Sequence, residues 1–212
     1  PMARDVSGLL AGMRLLEPGF EPATRPPRRV GRLRVECEPV IDAALDAALA
    51  ATGWEVVELS LPGWDEANVA CGLLLVYEAW QSDRHLAESS PEKVGGDVLE
   101  RLRMGRDLDS EAISSARAGT DKWRKRLTGV FEEVELVATP TLTILPSLLE
   151  QGEDLLMARC TLPVNLAGVP ALALPVPTTG PLPASLQLVS AANGEELLLG
   201  AGAEVEAALQ AS

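Results

Sequence analysis

Thr161-Leu162-Pro163-Val164-Asn165-Leu166-Ala167-Gly168-Val169-Pro170-Ala171-Leu172-Ala173-Leu174-Pro175 gathers several backbone specialists in one short span. Thr161 to Ala167 can form a short helix. Gly168 can take a positive φ and stop it, and Pro170 fixes the entry to a strand. Asn165 carries a short amide able to tie a turn to its neighbours. The strand that follows, Ala171 to Pro175, ends on a proline, which predicts an edge position or an abrupt stop.

Working outward from this stretch, strands and helices alternate. Downstream, Ser185 to Val189 reads as a further strand and Glu195 to Gln210 as a closing amphipathic helix, with Asn193 as its expected cap. Upstream, Val134 to Thr139 reads as a buried strand ended by Pro140, and Pro146 to Asp154 as a loop. Ser110 to Phe131 has helical spacing, with Asp109 or Ser110 as cap and a basic, solvated face from Lys122 to Arg126. Val98 to Leu108 is a short amphipathic segment, set off by a turn-rich loop from Ser89 to Gly96. Asp65 to Leu86 reads as one long helix; its middle, Cys71 to Val76, is apolar on all sides and predicts deep burial. Before it, Arg32 to Val35 and Val56 to Leu61 read as strands joined by a helix from Val40 to Ala51, opened by Pro39 and stopped at Thr52-Gly53. A crossover of that length implies parallel, adjacent strands. Asp5 to Leu16 has helical spacing with Asp5 as cap. Residues 18–30 carry Pro18, Pro22, Pro26 and Pro27 among arginines, the pattern of an exposed linker. The alternation predicts one α/β domain over residues 1–212, with a mixed sheet flanked by helices.

Composition narrows the function. With 31 acidic and 18 basic residues the net charge is -13, which argues against nucleic-acid or anionic-membrane partners, since both need a surplus of Lys and Arg. Arginine outnumbers lysine, 15 to three, with abundant Ala and Leu, a bias expected of a GC-rich bacterial gene. Cys37, Cys71 and Cys160 are far apart and stand beside a single histidine, His85. That pattern speaks for reduced thiols in a cytoplasmic protein and against a disulfide framework or a metal site. No cofactor motif is present, and Gly95-Gly96 is not followed by the Lys of a phosphate loop.

A hydrolase needs a nucleophile, a base beside it and donors for the oxyanion. There is no GxSxG elbow, and Ser89-Ser90 and Ser114-Ser115 lack flanking glycines. Lys93, Lys122 and Lys125 sit in polar settings, where a lysine stays charged and cannot act as a base.

The stretch from Thr161 to Pro175 resembles the C-terminal region of the amidase signature family, the serine hydrolases with a Ser–cisSer–Lys triad. Thr161, Pro163, Asn165, Leu166, Gly168, Pro170, Ala171 and Pro175 match its pattern, followed by Gln187-Leu188-Val189 and Glu195 to Leu199. Thr139-Pro140-Thr141 resembles the strand end after the family's long helix, and Pro1-Met2-Ala3-Arg4 resembles a segment that follows its catalytic core. Departures occur at Ala184-Ser185, where Gly often stands, and at Cys160, where an aromatic often precedes the Thr. The resemblance runs in order from Pro1 to Leu209. It implies the C-terminal portion of an α/β/α sandwich. The family's nucleophile, cis-serine and lysine lie upstream of the matched segments, so no catalytic residue maps onto this chain. The resemblance implies an enzyme that hydrolyses a carboxylic amide through a serine acyl-enzyme. This part would supply scaffold and substrate-pocket loops, with Thr139, Thr141, Arg159, Thr161 and Asn165 on the segments nearest the substrate. The partners so implied are an N-terminal catalytic part of the same protein and a small-molecule amide, with a homodimer left open. The alternative is a non-catalytic binding or scaffold module derived from an amidase. If half of a domain is absent, strand edges and an apolar face should stand open.

Overall fold

The structure, a computed structural model, describes residues 1–147 and 155–211. Five strands form one sheet in the order β2-β1-β3-β5-β4: β1 (Val30–Leu33), β2 (Val56–Leu59), β3 (Leu136–Pro140), β4 (Ala171–Val176) and β5 (Ala184–Ser190). β1 runs parallel to both β2 and β3, while β5 is antiparallel to β3 and β4. The sheet is mixed, and β4 lies at an edge, the first of the two outcomes its proline allows; the strand runs one residue past Pro175, to Val176. The first strand begins two residues earlier than the sequence suggests. Val30 is paired with both Val56 and Leu136, and the polar Arg32 belongs inside the strand. Arg32 is 1% exposed; its guanidinium meets Asp42 and Asp46 and donates to the Leu33 carbonyl (2.9 Å). Partners of that kind are what a buried cation requires.

Helices cover both faces of the sheet. On one side lie α1 (Val6–Leu16), α2 (Pro39–Thr52) and α7 (Glu195–Ala211). Val6, Ile41, Leu45, Leu198 and Val205 pack there against Val30, Leu136, Leu172, Leu174, Leu186 and Leu188. Local chemistry sets the ends of these helices. Asp5 Oδ1 accepts from Gly8 N (2.7 Å), Pro39 occupies the first turn of α2, and Gly53 ends α2 at φ 72°. Asn193 does not cap α7 as expected. It takes φ 61° in the preceding turn, and Gly194 stands at the cap position, its carbonyl accepting from Leu198 N (3.0 Å). Within residues 18–30, Phe20 and Pro27 are buried, and Ala23 N donates to Glu196 O (2.9 Å).

On the other side lie α3 (Trp64–Ser89), α5 (Ser110–Val130) and α6 (Leu162–Ala167), with α4 (Gly96–Arg106) crossing α3. Asp109 caps α5 through Ala112 N (2.7 Å). Trp64 and Trp123 meet edge to face at 5.7 Å and 82°, a favourable aromatic geometry. Beyond that junction the layer is thin. Of the 26 residues of α3, only Trp64, Ala67 and Ala70 are buried. Cys71 to Val76 is half-buried and Leu75 is 57% exposed. The deep burial expected for that segment is therefore not met within this chain, because α4 and α5 cover only part of its circumference. The expected loop from Pro146 to Asp154 lies largely outside the described residues.

Candidate functional site

The C-terminal ends of β1, β2 and β3 point the same way, and the segments that follow them gather at that end of the sheet. In α/β folds ligands bind outside the carboxyl ends of the strands. Thr139, in β3, is fully buried on the α3/α5/α6 face. Its Oγ1 donates to the Pro140 carbonyl (2.9 Å) and accepts from Gln187 Nε2 (3.0 Å). The same Nε2 donates to the Cys160 carbonyl (3.0 Å). Gln187, 4% exposed, thus cross-links β3, β5 and the turn before α6. One step along, Ser185 Oγ donates to Thr141 Oγ1 (2.9 Å).

Arg159 is fixed at both ends. Its carbonyl accepts from Trp64 Nε1 (3.1 Å), and its guanidinium meets Asp65 Oδ1 through Nε (3.2 Å) and Nη2 (3.1 Å), with Glu36 at 3.8 Å. It borders a cleft of about 450 Å³ with Arg34, Glu36, Trp64 and Asp65, at the ends of β1 and β2. Thr161 Oγ1 donates to the Ala158 carbonyl (3.2 Å), and the exposed Asn165 returns a bond from Nδ2 to the Thr161 carbonyl (3.1 Å). Trp123 Nε1 to the Pro163 carbonyl (2.7 Å) and Arg124 Nε to the Leu166 carbonyl (3.2 Å) hold α6 against α5.

Gln187 therefore links Thr139 to the Cys160 carbonyl, and Arg159 and Thr161 flank Cys160 in the chain. Thr141 lies near Thr139 at the end of β3, while Asn165 secures the start of α6. Sequence reasoning alone misses Gln187, Trp64 and Asp65. The one legible signal is Gln187, a lone polar residue in the run Leu186-Gln187-Leu188-Val189.

The electrostatics do not favour a nucleophile here. Burial pushes the Cys160 thiol up to about 12, with the nearby Cys37 adding to the shift. Burial likewise raises Cys37 and Cys71. A thiol raised in this way stays protonated and inert at neutral pH. Lys93, Lys122, Lys125 and His85 are exposed. Among the described residues no group of three or more His, Cys, Asp or Glu could hold a metal ion, and no helix is long and apolar enough to cross a membrane.

A family model described as Amidase matches residues 31–199, which includes every strand after the first residue of β1. The chain belongs to the amidase signature family. Among relatives of this amidase-family chain is one component of the glutamyl-tRNA(Gln) amidotransferase of Methanothermobacter thermautotrophicus. It is 28% identical over 241 residues, covering 97% of this chain and 53% of that protein. The putative amidase AmiA2 of Mycobacterium tuberculosis is 31% identical over 133 residues, covering 55% of this chain and 28% of its own length. A crystal structure of an amidase superposes with a TM-score of 0.86 at 24% identity, covering 98% of this chain and 52% of that one, which establishes the shared fold. The amidase-family chain spans about half the length of the curated relatives it matches.

Proposed function

We propose that this chain is the C-terminal scaffold and pocket-lining part of an enzyme that hydrolyses the C–N bond of a carboxylic amide. In this reading residues 1–212 form one α/β unit, and a second portion of polypeptide carries the Ser–cisSer–Lys triad. The serine hydroxyl attacks the amide carbonyl and passes its proton by way of the cis-serine to the lysine. The lysine then protonates the departing amine, and water clears the acyl-enzyme to release the acid. The match to the amidase family over residues 31–199 carries this reading. The half-length coverage of relatives supports the division, as do the exposed lysines and the half-covered middle of α3. The role of this chain is positional. Gln187 holds the 159–161 turn to the sheet, Asp65 and Trp64 set Arg159, and Thr139, Thr141, Thr161 and Asn165 shape the loops that border the substrate. Buried, hydrogen-bonded polar groups such as Gln187 and Thr139 fix loop geometry to the tolerance that acyl transfer needs.

The second reading is a non-catalytic binding or scaffold module derived from an amidase, and the exposed lysines and the protonated Cys160 thiol fit it equally. Fluorophosphonate labelling read by intact mass, with amine release from an aryl amide followed in parallel, decides between them. The complete protein should gain one adduct and release amine, and the 212-residue chain alone should do neither. A stoichiometric adduct on the chain alone would place the nucleophile here and overturn the division. A complete protein that neither labels nor hydrolyses would leave the binding module.

A further inference from the structure

We propose that the groove between α3 and α5 binds a free carboxylic acid with an apolar chain, its carboxylate held by Lys122 and Arg126 and its chain laid between the two helices. This site does not depend on the triad.

The head end is a recess of about 280 Å³ on the basic face of α5. Lys122 and Arg126 stand one turn apart there, exposed and facing the same way. Carboxylates are plentiful in a chain of net charge -13, and Arg25, Arg29, Arg32 and Arg34 each meet one. Among the described residues Lys122 and Arg126 meet none. Arg126 instead donates from Nη1 to the Pro62 carbonyl (2.7 Å), which orients its guanidinium and leaves Nε and Nη2 for a ligand. Gly63 makes that tether possible. It precedes α3 at φ 90°, and a Cβ there would run into Arg126 Nη1. Glu66 borders the recess without pairing to either cation, so the head end stays net positive.

The recess runs into a second one of about 570 Å³, with which it shares Glu66 and Gly119. This part is walled by Val69, Ala70 and Leu73 of α3 and by Ala112 and Ala116 of α5. Gly119 keeps the two parts joined, since a Cβ there would meet only the Ala70 Cβ, at 3.8 Å. Asp65 also borders the second part, but its carboxylate is taken by Arg159 (Nη2–Oδ1 3.1 Å).

One charged end and an apolar trough select a ligand of the same polarity. The cations reject a positive head, and the trough gives a bare anion nothing to bury. From Glu66 to Leu73, α3 rises about 10 Å, the length of a medium alkyl chain. Leu75 lies nine residues past Glu66, about two and a half turns, and so on the opposite side of α3. A covering layer over Leu75 therefore leaves the groove open.

Calorimetric titration of octanoate into the 212-residue chain and into the complete protein tests this. One molecule should bind per chain in both. Acetate, which lacks the tail, and octylammonium, which reverses the head, should each bind at least about 10-fold more weakly. Lys122→Ala combined with Arg126→Ala should weaken octanoate by at least about 10-fold through lost charge-assisted hydrogen bonds. Gly119→Leu should do the same by filling the trough, and it raises the helix propensity of α5, so the two variants probe head and tail separately. Acetate binding as tightly as octanoate would mean a surface ion site only. Equal binding of octylammonium, or full binding by both variants, would place the ligand elsewhere. Binding by the chain alone that the complete protein lacks would mean that the second portion fills the groove, and binding that fades as the chain self-associates would mean that a second copy does. Each of these outcomes would overturn the proposal, as would no binding by the folded protein.

Discussion

Helices cover both faces of the sheet, yet one face is sealed and the other is not. Under α1, α2 and α7 the core is continuous: Leu45, Leu136, Val176, Leu186, Leu188, Ala201 and Val205 have no exposed surface. Under α3 and α5 a buried cluster forms around Trp64, Ala67, Ala116, Trp123 and Leu127. Further along, Val69 is 61% and Leu75 is 57% exposed. Single exposed apolar residues are ordinary. A helix that is apolar on all sides and covered on only some of them is not, and it marks a surface meant for something else. The sealed face stabilises this chain, and in the proposed reading the open face is where a second portion packs.

The contrast can be broken most directly at Leu45. Leu45→Ala should destabilise the chain by about 3 kcal/mol, from lost transfer energy and the cavity left behind. The denaturant midpoint should fall at an unchanged m-value. A loss below about 1 kcal/mol would mean that the sealed face can collapse around the gap. On the open side the tightest point is the crossing of α4 over α3, where a Cβ on Gly105 would run into the Val76 carbonyl and the Trp80 side chain. Gly105→Ala should cost about 2 kcal/mol by overpacking. A neutral result would show that the α3–α4 pair moves freely.

Gln187→Leu removes the donor to the Thr139 hydroxyl and the Cys160 carbonyl and should cost about 1.5 kcal/mol. Exchange of the amides around Arg159 should quicken with it, since the turn loses its tie to the sheet. If stability falls while that turn stays protected, Gln187 is only a core residue and not the hinge pin of the site.

Acid should act first through the charged cluster of the sealed side. The Asp46 carboxyl is raised by burial, but hydrogen bonds from Arg34 and Arg32 outweigh this and hold it below 3.8. The hydrogen bond from Arg34 lowers Glu58 and that from Arg25 lowers Glu135, both below 4.5. Carboxyls depressed in the folded state stabilise it above their unfolded pKa, and that contribution is lost as the pH falls through the folded value. The thermal midpoint should hold between pH 7 and 5 and drop as the pH is taken below 4.5. Asp46→Asn should lower the plateau and make the acid drop shallower; an unchanged profile would remove the cluster from the stability of this face. The smallest effect belongs to the open helix. Leu75→Ala should change the stability of the chain alone by less than about 0.5 kcal/mol, and that of the complete protein by about 2 kcal/mol if a second portion covers α3.

Much of the fold is legible residue by residue. The β-α-β unit, the parallel pairing of its strands, the long helices and the edge position of β4 all follow from periodicity, prolines and glycines. The true start of the first strand is hidden because Arg32 looks like a strand boundary; only Asp42 and Asp46, brought over it by α2, make it a buried strand residue. The middle of α3 looks buried because a sequence reports how apolar a helix is and not how much neighbouring surface there is to cover it. Thr139, Thr161 and Gln187 all stand in segments that match the family pattern, but the cross-link made by Gln187 is not legible there, since its partners lie 48 and 27 residues away in the chain.

By itself the sequence determined what depends on a few neighbouring residues. The left-handed stop at Gly168, the caps at Asp5 and Asp109, and the alternating faces of β4 are matters of φ/ψ and short-range hydrogen bonds. The tertiary structure alone decided that β3 joins β1 and β5 joins β3, which helical layer closes over them, and that β2 is the other edge. Those outcomes depend on burial and pairing between segments far apart in the chain, and no local window contains both partners.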